Sequence, residues 1–149
     1  MCSDNGHLRA GCEMSDVSVD HIGIATNSIE AASGFWELLG FESTSIHVND
    51  DQGVRIMMLE GSLSTTKLEL LEPLSSDTPV GRYISKRGVG IQQLAVKVID
   101  IESTIEQLTK SGVRMVDDNP VNGVGGALIA FVHPSSTGGV LVELVQHRN

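Results

Sequence analysis

No cysteine occurs beyond position 12 of this 149-residue chain, the two present being Cys2 and Cys12. A disulfide framework and a thiolate metal site are therefore excluded from the body of the protein. No apolar run approaches the roughly 20 residues needed to cross a bilayer, so no membrane partner is expected. Basic charge is scarce as well: 10 Lys and Arg against 19 Asp and Glu give a formal net charge of −9. That balance argues against nucleic acid as a partner, since such surfaces need clustered cations. Aromatic residues are only 3% of the chain, so the core must be built from Val, Ile, Leu, Met and Ala. The opening stretch MCSDNGHLRAGCE lacks an apolar h-region and carries Asp4 and Glu13, unlike a secretory signal or an acid-poor transit peptide. Residues 1–16 read as a disordered extension, and the protein as cytoplasmic.

What the chain does have is an internal repeat. The segment DHIGIATNSIE from Asp20 to Glu30 reappears as QQLAVKVIDIE from Gln92 to Glu102, placing His21 on Gln93 and Gly40 on Gly112 at an offset of 72. Farther on, KLELL at Lys67 to Leu71 matches LVELV at Leu141 to Val145, placing Glu69 on Glu143 at an offset of 74. Self-similarity of this kind decides the architecture before any single element does.

Each copy reads as a βαβββ module of an α+β protein. In the first, Val17 to Ala25 is a strand, and Asn27 or Ser28 caps a helix striped by Ala31, Phe35, Leu38 and Leu39 and ended by Gly40. Strands from Phe41, over Val54 to Leu59 and over Lys67 to Leu71 follow. A Ser/Asp/Thr/Pro cluster to Pro79 and a short helix over Val80 to Lys86 make the linker. In the second copy, Leu94 to Val98 is a strand and Ile101, Ile105 and Leu108 stripe a helix stopped by Gly112. Strands at Val113 to Val116, Leu128 to Val132 and Val140 to Val145 complete it, with a Gly-rich loop from Asp117 to Gly126. One domain over 17–146 is expected, with module one at 17–74, a linker at 75–90 and module two at 91–146.

Four polar positions stand out: His21, Glu69, Gln93 and Glu143. Each glutamate is flanked by apolar neighbours that must point to the opposite face of its strand. Taken singly, such a Glu is expected to face water. A carboxylate in the same slot of both copies, with His21 and Gln93 also matched, points instead to one shared site for a divalent cation. One imidazole, two carboxylates and an amide oxygen suit an ion of borderline to hard character. For His21 the bland alternative is a satisfied strand histidine.

The chain resembles the methylmalonyl-CoA epimerase family, within the vicinal oxygen chelate superfamily that also contains glyoxalase I. The resemblance spans almost all of 17–146 and rests on DHIGIA at Asp20, QGVR at Gln52, TKLELLEPL at Thr66, ISKRGVGI at Ile84 and HPSSTGGVLVELVQ at His133. It implies two tandem modules forming a cup-shaped mixed-sheet half-barrel with helices outside. It also implies metal ligands at His21, Glu69, Gln93 and Glu143. The chain departs from the family at Gln92 and Gln93, where a His-His pair is usual. The implied metal is cobalt, with manganese, magnesium, nickel and zinc also admissible; the amide at Gln93 favours the harder ions. Some members carry an extra glutamate where this chain reads Arg55 and Ile56.

The implied reaction interconverts the 2S and 2R forms of methylmalonyl-CoA by α-proton abstraction through a metal-stabilised enolate, with Glu143 and Glu69 as the candidate acid–base groups. Lys67, Arg82, Lys86 and Arg87 are cations available to coenzyme A phosphates, their ordinary reading being surface solvation. Relatives are commonly homodimers, so the resemblance implies a homodimer. Two alternatives use the same scaffold: a glyoxalase I-like lactoylglutathione lyase, and a non-catalytic small-molecule-binding protein.

Overall fold

The structure, a computed structural model, describes residues 16–148. The extension expected at 1–16, with both cysteines, lies outside the described residues but for Asp16. The chain divides into two compact units: Asp20–Leu94, and Ala95 onward together with the segment that ends at Val19.

The first unit takes in β1 (Ser18–Ala25) from Asp20 onward and α1 (Ile29–Leu39). Its sheet continues through β2 (Glu42–Ser43), β3 (His47–Asn49), β4 (Val54–Glu60) and β5 (Lys67–Pro73). The strands lie in the order β2-β4-β5-β1, with β3 also on β4. Pairing is mixed: β1 runs parallel to β5, with His21 opposite Lys67 and Gly23 opposite Glu69, whereas β4 and β5 are antiparallel, with Met58 opposite Glu69.

Because side chains alternate along a strand, this register sorts the sheet into two faces. Ile24, Met57, Leu59, Leu68 and Leu70 face α1, packing on Ile29, Ala32 and Trp36. Ala25, Val54, Ile56, Met58 and Leu71 lie on the other face, under Val80, Tyr83 and Ile84 of α2 (Pro79–Arg87). His21 and Glu69 share that second face by the same alternation.

The α1 helix differs from expectation in the side it buries. Ile29 and Ser33 are buried, while Phe35, Leu38 and Leu39 are 61%, 90% and 62% exposed, and Ala31 is exposed too. The segment IEAASGFWELL carries apolar residues on more than one side, so periodicity alone could not choose the face. The cap is the expected one: Ser28 Oγ accepts from Ala31 N at 3.2 Å, and Gly40 closes the helix at φ 113°.

The second unit repeats the arrangement. The helix α3 (Ile101–Lys110) packs Ile101 and Ile105 on Ala130, Val132 and Leu144. Its sheet runs β7 (Val121–Asn122), β8 (Leu128–Val132) and β9 (Leu141–Gln146), antiparallel from β8 to β9. Two expectations need correction. Residues 113–116 form no strand, only a Met115–Val132 bridge. The strand β6 spans Gly90–Lys97 rather than starting at Leu94, so the Gln92–Gln93 pair lies inside it.

One device fastens the helix to the sheet in both units. Glu72 Oε1 accepts from Ile29 N at 2.9 Å, and Gln146 Oε1 accepts from Ile101 N at 2.8 Å. Each satisfies an amide that the first helical turn otherwise leaves without a partner. Gln146 stands on Glu72 in the repeat at the same offset of 74 as the glutamates.

Candidate functional site

All four residues singled out by the repeat are buried: His21, Glu69, Gln93 and Glu143 are 5%, 8%, 6% and 6% exposed. The solvent-facing alternative therefore fails for both glutamates. Three of the four belong to the first unit, and the structure brings them to one face of its sheet.

His21 lies on β1 between two carboxylates. Its Nδ1 lies 2.7 Å from Asp20 Oδ2, and its Nε2 lies 3.4 Å from Glu69 Oε2. An ionised carboxylate only accepts, so Nδ1 carries a proton, and with the ring neutral Nε2 presents its lone pair to Glu69. Two acceptor atoms face each other favourably only when a proton or a cation lies between them. Donors about 2.1 Å from a shared dication stand roughly 3.0–3.4 Å apart at bond angles of about 90–109°. The observed separation has that spacing, so the pair fits two ligands of one ion.

Gln93 reaches the same row across Gly23. A Cβ built on Gly23 would stand 2.4 Å from Gln93 Cγ and 3.0 Å from its Cδ. Gly23 pairs in register with Glu69, so the bare backbone there gives the long amide side chain its path. Burial pushes the Glu69 carboxyl above the ordinary glutamate range; a positive charge on the facing His21 would oppose that shift, and Asp20 adds to it.

Glu143 belongs to the second unit. It sits on β9 opposite Phe131, on the face shared with Ala95, Ile129 and Val145 and away from α3. That is the place Glu69 holds in its own unit, opposite Met58. Among the described residues, no three His, Cys, Asp or Glu side chains gather as a ready metal cage.

The slot where some family members carry an extra glutamate holds no carboxylate. Arg55 lies on the helix-facing side of β4, bonded to Glu72 at 2.6 Å and to Glu30 at 2.7 Å. Ile56, on the other side, is buried in the core. Of the expected phosphate-binding cations, Lys67 pairs with Glu60 at 3.3 Å and Arg82 bonds the Asp77 carbonyl. Lys86 and Arg87 are exposed in the last turn of α2.

Sequence reasoning missed two residues of this site, Asp20 and Gly23. The signals were faint: a carboxylate beside the only repeat-matched histidine, and a glycine inside an apolar strand, which often marks a close approach.

Comparison with known proteins bears on what such a site does. The pattern of the Glyoxalase/Bleomycin resistance protein/Dioxygenase superfamily matches residues 20–131. An uncharacterised Bacillus subtilis protein, YqjC, is 36% identical over 129 residues, covering 86% of this chain and 91% of that one. The mitochondrial methylmalonyl-CoA epimerase of Mus musculus is 32% identical over 130 residues, covering 86% of this chain and 72% of that protein. A methylmalonyl-CoA epimerase solved in complex with methylmalonyl-CoA and ammonium superposes with a TM-score of 0.81 at 37% identity, covering 86% of this chain and 92% of that one. The duplicated α+β architecture and the extent of these matches lead to one assignment: this chain belongs to the Glyoxalase/Bleomycin resistance protein/Dioxygenase superfamily, among the relatives of the methylmalonyl-CoA epimerases.

Proposed function

We propose that this protein is a metal-dependent epimerase that interconverts 2S and 2R methylmalonyl-CoA. The observation that carries the reading is the buried His21–Glu69 pair, with Nε2 and Oε2 facing each other at 3.4 Å. It occurs in a chain similar to epimerases, one of them solved with this thioester. The superfamily implies a divalent cation. His21, Glu69 and Gln93 would hold it, and Glu143 is the fourth donor by resemblance and by the repeat.

When bound, the cation supplies positive charge to a substrate oxygen as the neighbouring carbon gives up its proton. The remaining work falls to the protein. Inversion needs a proton removed from one face of the α-carbon and returned on the other. Glu69 and Glu143 are the carboxylates proposed for that exchange. Burial raises the affinity of Glu69 for a proton in the metal-free chain, whereas coordination to the cation would lower it, so Glu69 serves as a base only while it is not bound to the ion. Arg82, Lys86 and Arg87 are the cations offered to coenzyme A phosphates.

Deuterium wash-in tests the reading. Methylmalonyl-CoA incubated in D2O with the protein and Mn2+ or Co2+ should gain label at the α-carbon, and chelator should suppress the gain. Absence of exchange with every divalent metal tried would overturn the proposal.

A further inference from the structure

We propose that Asp20 is the positioning residue of this site, holding His21 in one tautomer and one ring orientation so that Nε2 is presented to the ion. The inference rests on the metal reading above and goes beyond it by assigning a role to a residue outside the ligand set.

The contact is short and sheltered. Asp20 Oδ2 lies 2.7 Å from His21 Nδ1, and the two side chains are 14% and 7% exposed. A neutral imidazole in water exchanges between two tautomers and rotates about its side-chain bonds. An acceptor fixed at Nδ1 removes both freedoms and leaves the lone pair on Nε2, the atom that faces Glu69. The bond also makes that nitrogen a better donor, which is the usual effect of a carboxylate behind a ligating histidine. Lys67, opposite His21 in the strand register, sends its ammonium to Glu60 at 3.3 Å.

The repeat supplies an internal control. In the second copy Gln93 takes the place of His21, and Gln92 takes the place of Asp20. An amide has no tautomer to select. Correspondingly, Gln92 Oε1 is buried with no hydrogen-bond partner, so it does not accept from Gln93 as Asp20 Oδ2 accepts from His21. The carboxylate is present where an imidazole follows and absent where an amide follows.

The test compares the wild type with Asp20→Ala and Asp20→Asn. Ring 15N shifts of His21 are measured in the metal-free protein, Co2+ affinity by calorimetry, and folding by thermal melts. The wild type should show a proton on Nδ1 and an unprotonated Nε2. Asp20→Ala should show mixed tautomers and bind Co2+ about 10–100-fold more weakly. Asp20→Asn keeps an acceptor oxygen and should fall between the two; it carries the comparison if the alanine variant does not fold. Unchanged Co2+ affinity in the variants, or a wild-type ring protonated on Nε2, would overturn the proposal. If the wild type binds no divalent ion, the metal reading fails instead, and the ring tautomer alone decides whether Asp20 positions His21.

Discussion

Gly23 and Gln93 show how one missing Cβ shapes the site. Any side chain at 23 would meet Gln93 Cγ at 2.4 Å and Leu71 Cδ1 at 3.1 Å. Gly23→Ala should therefore cost about 1–3 kcal/mol in overpacking and swing the amide out of the row it shares with Glu69. Urea melts should show the double variant Gly23→Ala/Gln93→Ala less destabilised than the sum of the singles, because removing the amide removes its half of the clash. Strictly additive losses would mean that the two residues do not meet. At the same position, Gln93→His restores the donor usual in the family. Titration should give tighter Co2+ binding with an unchanged fold, since imidazole suits that ion better than an amide oxygen. Equal affinity would remove Gln93 from the ligand set. The repeat made His21, Glu69, Gln93 and Glu143 legible at this scale. Asp20 and Gly23 were not, because their importance lies in contacts rather than in residue type.

The elements carry two further expectations. Leu70, fully buried between the sheet and α1, is central to its cluster; Leu70→Ala should cost about 2–5 kcal/mol in chemical denaturation. The helix anchors divide by charge. Glu72 caps Ile29 and also bonds Arg55, whereas Gln146 caps Ile101 with an amide oxygen. Glu72→Gln should thus keep the cap and lose the ion pair, a milder change than Glu72→Ala, which strands the Ile29 amide at about 1–3 kcal/mol. Equal destabilisation of the two variants would show that the cap contributes nothing.

The cap of α3 gives the pH dependence. The Ser103 amide, and then its hydroxyl, hold the Asp100 carboxyl below its ordinary value of 3.8. A lowered folded pKa means that the stabilisation is present above the unfolded value and is lost as pH falls through the folded one. Asp100→Asn retains an acceptor oxygen at the cap. Its melting temperature should match the wild type near neutrality and fall less steeply below about pH 4. An identical acid limb in both proteins would remove Asp100 from the acid transition. The capping residues of α1 were readable because they act within a few residues of their partners, whereas Asp100, which caps α3, was not singled out. The buried face of α1 was not, since Ile29, Trp36, Phe35 and Leu38 give the helix apolar residues on more than one side and the sheet makes the choice.

For the whole molecule, a ligand that binds only the folded chain must raise its stability. A dication at 100 times its dissociation constant should add about 2.7 kcal/mol. Melts in Mn2+ should lie above melts in EDTA, and His21→Ala should abolish the difference; a metal-independent melting temperature would count against the centre. The homodimer is likewise proposed by resemblance, and sedimentation of the purified protein decides it. Among the described residues, no helix is long and apolar enough to cross a membrane.

The amino-acid sequence by itself determined the duplication, the α+β class, the cap of α1 and the four matched polar positions, because repeats, periods and caps are local or linear properties. Tertiary structure alone decided that β5 lies parallel beside β1, which sets Glu69 against Gly23 and turns its carboxylate to the imidazole of His21. It alone decided that Gln93 crosses the bare backbone at Gly23 and that Arg55 turns away from His21 and Glu69. Those outcomes depend on which strands become neighbours and in what register. Spacing along one strand carries no record of what will lie across from it.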